Sequence, residues 1–164
     1  MRAFVYMLIA AACVLHVRAA EQIIDVGMPE AREHLGYGWG GDERGRGGRF
    51  AWIKELEGDV RFDLDAVADT EITIRAVPYY VADRKQIVAL YINNRFVKEW
   101  ICTHTRQWNY DPYTIKVPAE MLQQGRNQMT LRMGYRARGN KRYHALAVES
   151  ILIRSNAPDE KKDN

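Results

Sequence analysis

From Glu21 onward, apolar and polar residues alternate with a period of two. In "DVRFDLDAV", Val60, Phe62 and Leu64 fall on one side and Arg61, Asp63 and Asp65 on the other. "EITIRAV" repeats the pattern, with Ile72, Ile74 and Ala76 opposite Thr73 and Arg75. Alternation of this kind predicts half-buried β-strands. Further β-like runs are "QIIDV", "RFAWIKEL", "KQIVALYIN", "RFVKEWICT", "YTIKV", "NQMTLRM" and "HALAVESILIR". The count reaches about nine short strands joined by turn-rich links, the spacing of a sandwich or barrel. Asn93-Asn94 between two of them predicts a tight hairpin, because Asn tolerates the positive φ that such turns demand.

Helix is scarce in this pattern. "PEAREHLG" (29–36) and "PAEMLQQG" (118–125) each begin at Pro and stop at Gly, which suits one or two helical turns. The expected architecture is all-β: an antiparallel β-sandwich of about 8–9 strands over residues 21–154, followed by the polar, frayed tail 155–164.

One stretch interrupts the alternation. Seven of the chain's twelve glycines lie between Gly36 and Gly48, in "GYGWGGDERGRGG". Its first six residues spell G-x-G-x-x-G, but a dinucleotide loop must leave a strand and enter a helix. Here more glycine and charge follow, then the β-run "RFAWIKEL". Nucleotide binding is excluded, and the segment reads as a long crossing ahead of that strand.

The N-terminus has a different character. "MRAFVYMLIAAACVLHVRAAEQ" carries an apolar run from Ala3 to Leu15 with one Arg before it. Val17 and Ala19 are small enough for signal cleavage after Ala19. A retained anchor is the other reading, although a membrane span takes about 20 apolar residues. Both assign residues 1–20 to an export signal or an uncleaved hydrophobic helix, with membrane contact through residues 3–17. Both place the folded part outside the cytoplasm, periplasmic or secreted.

Composition and charge narrow the partners. The 164 residues are 47% apolar, enough for a core. The formal charge of +3 falls to +1 once Arg2 and Arg18 are set aside, leaving 22 basic against 21 acidic residues. Basic and acidic residues are interspersed, so no nucleic-acid footprint is expected. Cys13 lies in the N-terminal run and Cys102 stands alone, so no disulfide is expected within the domain and Cys102 reads as a small buried residue.

Two runs carry a family likeness. "IVALYINNRFVKEWICT" resembles the strand–"NG"–strand hairpin of sugar-binding jelly rolls, with Asn94 where Gly is usual. "YTIKVPAEMLQQGRNQMTLRM" resembles their "strand, P-x-x-L-L-x-x-G-x-N, strand" element, with Pro118, Met121-Leu122, Gly125 and Asn127 in the key places. The opening "IDVG…GWGGDE…RFAW" is similar to jelly-roll domains of bacterial envelope proteins. The resemblance spans most of residues 23–154 and implies a galactose-binding-like, carbohydrate-binding sandwich. It also admits a structural calcium held by loop carboxylates and carbonyls, as in some jelly rolls.

Candidate ligand residues follow from chemistry. Sugar sites stack flat rings on pyranose faces and fix hydroxyls with charged or amide groups. In the glycine stretch Tyr37, Trp39, Glu43 and Arg49 offer that mixture. A second set is Trp108 and Tyr110 in "WNYDPY", with Tyr143 after the basic "RARGNKR". The bland alternatives are that Trp39 plugs one end of the sandwich and that Glu43 pairs with a nearby Arg. Catalysis finds no support: no G-x-S-x-G elbow, no metal-ligand spacing, and Asp63 and Asp65 only mark a wet strand face. The expected function is therefore a non-catalytic, exported module binding a glycan through end loops. The alternative is an accessory subunit of an envelope protein complex, gripping protein and tethered by the N-terminal segment.

Overall fold

A computed structural model describes residues 20–102, 109–139 and 141–156. Export or anchoring through residues 1–19 therefore lies outside the described residues, and Ala20 already belongs to a strand. The chain runs β1 (Ala20–Asp25), β2 (Trp39–Gly45), β3 (Gly48–Ile53), β4 (Glu57–Leu64), β5 (Thr70–Pro78) and β6 (Gln86–Ile92). It continues through β7 (Arg95–Cys102), β8 (Asp111–Val117), β9 (Gly125–Met133), β10 (Ala137–Arg138), β11 (Tyr143–His144) and β12 (Leu146–Ser155). One sheet has the order β2-β3-β12-β5-β8, with β1 also paired to β12; the other is β4-β9-β6-β7. β10 and β11 form a separate small ribbon, and every pairing is antiparallel.

The alternating residues face each other between the sheets. Val60, Phe62, Leu90, Ile92, Met129 and Leu131 from one sheet meet Ile24, Ile53, Ile72, Ile74, Leu146 and Ile151 from the other. Each fully buried aliphatic side chain contributes roughly 1.5–3 kcal/mol by leaving water. β12 reaches this core in two phases. Leu146 and Val148 point inward before a register shift at Glu149, and Ile151 and Ile153 after it. The bulge inserts one residue and resets the face. Cys102 is buried beside Trp100 and Tyr113, and burial pushes its thiol up to about 11, as suits a packing residue.

Two sequence expectations are corrected and one is met. The glycine stretch is not a long crossing: Trp39–Gly45 is β2, which turns through Arg46-Gly47 into β3. A register shift between Trp39 and Asp42 hid its alternation. The two Pro-to-Gly segments hold the short helical turns expected of them, both 3-10, Pro29–Glu33 and Ala119–Met121, because the chain must rejoin a strand within a few residues. The ordered sandwich also extends past residue 154, since β12 ends at Ser155 and the Asn156 amide donates to the Asp69 carbonyl at 2.9 Å.

The segment before β2 seals the edge of the second sheet. Gly36 N–H donates to the Asp59 carbonyl (2.8 Å), Asp59 N–H to that of Tyr37 (3.0 Å) and Arg61 N–H to that of His34 (2.7 Å). Gly38 makes this approach feasible. Its φ is +86°, and a Cβ there would lie 1.9 Å from the Glu57 carbonyl oxygen.

Candidate functional site

β3 breaks the alternation seen elsewhere: Phe50, Ala51, Trp52 and Ile53 are all buried. Ala51 and Ile53 enter the main core, whereas Phe50 and Trp52 face outward and pack with Val77, Ala147 and Tyr110 in a second cluster. Ala147 lies directly opposite Trp52 on β12, and its small side chain leaves room for the indole. Trp52 packs edge-on against Phe50 (5.9 Å, 89°) and Tyr79 (5.7 Å, 68°). Tyr110 meets Phe50 at 6.1 Å. His144 lies 4.7 Å from Trp52 and stacks on Tyr79 at 5.2 Å with a 19° interplanar angle.

A buried amide holds this upper layer in place. Gln86 Nε2 donates to the carbonyls of Tyr135 (2.8 Å) and Ala145 (3.2 Å), while its Oε1 accepts from Tyr135 N–H (3.1 Å). Both ends of the excursion bearing β10 and β11 are thus fixed to β6. Tyr79 is bound at both backbone groups, its N–H to the Ala145 carbonyl (3.0 Å) and its carbonyl to Tyr135 Oη–H (3.0 Å). Gly139 closes over the ring pair; a Cβ there would come within 2.9 Å of His144 and 3.1 Å of the Tyr79 hydroxyl.

Charged groups surround the rings. Glu43 on β2 shares its face with Phe50 and lies 3.8 Å from Arg142, and Arg75 donates to Glu149 at 2.5 Å. Two polar atoms inside are unmatched: the Tyr110 hydroxyl and His144 Nδ1 are buried without a hydrogen-bond partner among the described residues. Burial pushes the Tyr110 phenol well above its usual range, with Glu149 and Glu43 adding to the shift. Burial likewise lowers the His144 pKa; Glu43 opposes this, and Lys54 and Arg142 reinforce it. The site thus presents a neutral imidazole and a protonated phenol. Buried polar groups without partners are uncommon, and each has a reason to be there.

In fold, the chain resembles carbohydrate-binding modules. A family 35 module from Clostridium thermocellum superposes with a TM-score of 0.53 at 16% identity, covering 73% of this chain and 89% of that one. The C-terminal family 6 module of LamC from the marine Zobellia galactanivorans gives 0.56 at 12%, covering 84% and 100%. The family 35 module of Abf62 from Cellvibrio japonicus gives 0.53 at 17%, covering 82% and 92%. At such identities the likeness concerns the fold. No protein-family model and no curated protein matches the sequence.

Against this resemblance, the residues singled out from sequence fall in different places. Tyr110 joins the outer cluster, and Glu43 stands at its rim, paired with Arg142. Tyr143 is 46% exposed beside His144, with the Arg136 guanidinium 4.4 Å over its ring. Trp39 packs against the main core between the sheets, its indole N–H donating to the Asp59 carbonyl at 2.7 Å. Tyr37, 62% exposed, shares that edge along β4. Arg49 is exposed and opposes Arg44 on the face away from Phe50. Trp108 lies outside the described residues. Among those described, no three His, Cys, Asp or Glu side chains converge as a metal set. Sequence reasoning missed Phe50, Trp52 and Tyr79 as partners of the site. The available signal was the unbroken apolar run "FAWI", which marks a strand covered on both faces.

Proposed function

We propose that this chain is a non-catalytic glycan-binding module whose sugar rests on the partly buried Tyr79–His144 ring pair at one end of the first sheet. The observation that carries the reading is the outer aromatic cluster, Phe50, Trp52 and Tyr110 beneath Tyr79 and His144, with Glu43 and Arg142 at its rim. Rings supply a stacking surface, and the Glu43 and Arg142 side chains at its rim would engage the hydroxyls of a bound sugar. The fold shared with carbohydrate-binding modules supports the reading. The export segment read from the sequence would place the module where extracellular or envelope glycans occur.

The test is calorimetric titration of a broad panel of neutral and acidic glycans against the wild type, Tyr79→Ala and His144→Ala. Binding by the wild type with a loss of about tenfold or more in Tyr79→Ala is expected, since ring stacking contributes roughly 0.5–1.5 kcal/mol beyond the buried area. Silence of the wild type across the panel, or unchanged affinity in both variants, rejects the reading. In that event, capture of an envelope protein complex by the same face would favour the accessory-subunit alternative.

A further inference from the structure

The β2–β3 hairpin ends in Arg44-Gly45-Arg46-Gly47-Gly48-Arg49. Arg44 and Arg49 are directly opposed across the strands, and Arg46 occupies the turn between them. All three are exposed, and none forms an ion pair with a carboxylate among the described residues. Three carboxylates near this end are already engaged: Asp42 with Arg32, Glu43 with Arg142, and Glu149 with Arg75. Like charges directly opposed across a strand pair lower stability. Among the described residues no carboxylate pairs with either arginine.

A second basic element lies beside the rings, rooted at the Ile53 end of β3. The β10–β11 ribbon carries Arg138, and Lys141 follows in its loop; both are exposed and lack an ion-pair partner among the described residues. The Glu43–Arg142 contact ties this ribbon to β2. The domain is nearly neutral overall, yet among the described residues these five cations stay unpartnered, Arg138 and Lys141 on the ribbon beside the rings and the three arginines at the tip of the β2–β3 hairpin. Guanidinium groups match carboxylate, sulfate and phosphate with paired hydrogen bonds.

We infer that the arginine tip is an anion subsite for an acidic polysaccharide, one carrying carboxylate or sulfate groups along its length. The inference rests on the glycan reading of the neighbouring rings. Arg46 stands six residues from Trp52, the β3 ring that meets Tyr79 and His144, about 20 Å at the rise of an extended strand. A single sugar held on Tyr79 and His144 therefore leaves the tip empty, whereas a longer chain reaches it. Exposed charge contacts of this kind weaken with ionic strength.

The experiment compares the wild type, the triple variant Arg44→Gln/Arg46→Gln/Arg49→Gln and Tyr79→Ala. The probes are polygalacturonate, dextran sulfate, uncharged xylan and phosphatidylglycerol vesicles, each at low and high salt. The triple variant and high salt are expected to weaken binding of an acidic polysaccharide by about tenfold, leaving xylan unaffected. Preference for polygalacturonate or for dextran sulfate identifies the anion as carboxylate or sulfate, and either supports the subsite. Undiminished polyanion binding in the triple variant overturns it while leaving the ring site standing. Loss in the triple variant with no change in Tyr79→Ala removes the ring site and keeps the anion site alone. Arginine-dependent binding to the vesicles, with neither polysaccharide bound, overturns the inference in favour of a lipid surface.

Discussion

Trp39 shows how one side chain changes meaning between sequence and structure. As an aromatic residue among glycines it offers a stacking platform. In the fold its indole N–H is used by Asp59 of the opposite sheet and its ring fills the gap between sheet edges. Trp39→Ala is therefore expected to lower unfolding free energy by about 2–4 kcal/mol, from lost packing and a lost hydrogen bond. Urea denaturation measures this loss, and glycan titration of the same variant is expected to show full affinity. Asn127 is the converse case. Its place in the P-x-x-L-L-x-x-G-x-N pattern was legible, and the structure supplies the reason. Its buried amide donates to the carbonyls of Gln123 (2.7 Å) and Gly125 (3.0 Å) and accepts from Gln123 N–H (3.0 Å) and Asn93 Nδ2 (2.9 Å).

Among elements, the hairpins divide in the same way. The Asn93-Asn94 turn was readable because a two-residue connection with positive φ at both places favours Asn. The observed φ values are 49° and 65°. Gly is preferred at the second place, so Asn94→Gly is expected to raise stability by several tenths of a kcal/mol to about 1 kcal/mol, read as a higher Tm. Asn93 should stay, since its side chain donates to the Met121 carbonyl and accepts from Gln128 N–H. The β2–β3 hairpin was not readable. Glycine carries no hydrophobic pattern, and the register shift after Trp39 removes what alternation the remaining residues had. Its identity as a strand comes from β3, which supplies the partner backbone.

The whole molecule carries two apolar clusters, one between the sheets and one on the outside of the first sheet. His144 belongs to the outer one, and its titration is felt by the entire fold. Burial holds its folded pKa below the reference value of 6.5, so the unfolded chain binds more protons between the two. The stabilisation is complete above 6.5 and is lost as the pH falls from there through the lower folded value. Thermal melts from pH 8 to pH 5 are expected to show a falling Tm, with part of that slope removed in His144→Gln. Equal slopes in the two proteins would assign the pH dependence to other groups.

What the sequence determined by itself was the β character, the approximate strand boundaries and the sandwich, because a period of two is a local signal that each segment carries alone. The likeness of the hairpin and of the Pro118–Asn127 element was equally local. Which rings meet was decided only by tertiary structure. Phe50, Trp52, Tyr79, Tyr110 and His144 come from four separate stretches of chain, and pairing of β3 and β5 with β12 brings three of those stretches together. The charge pattern obeyed the same limit. Along the chain, Arg and Asp or Glu alternate; in space, cross-strand register consumes the carboxylates and leaves Arg44, Arg46 and Arg49 unpartnered among the described residues. Register is a relation between segments distant in sequence, and no local pattern encodes it.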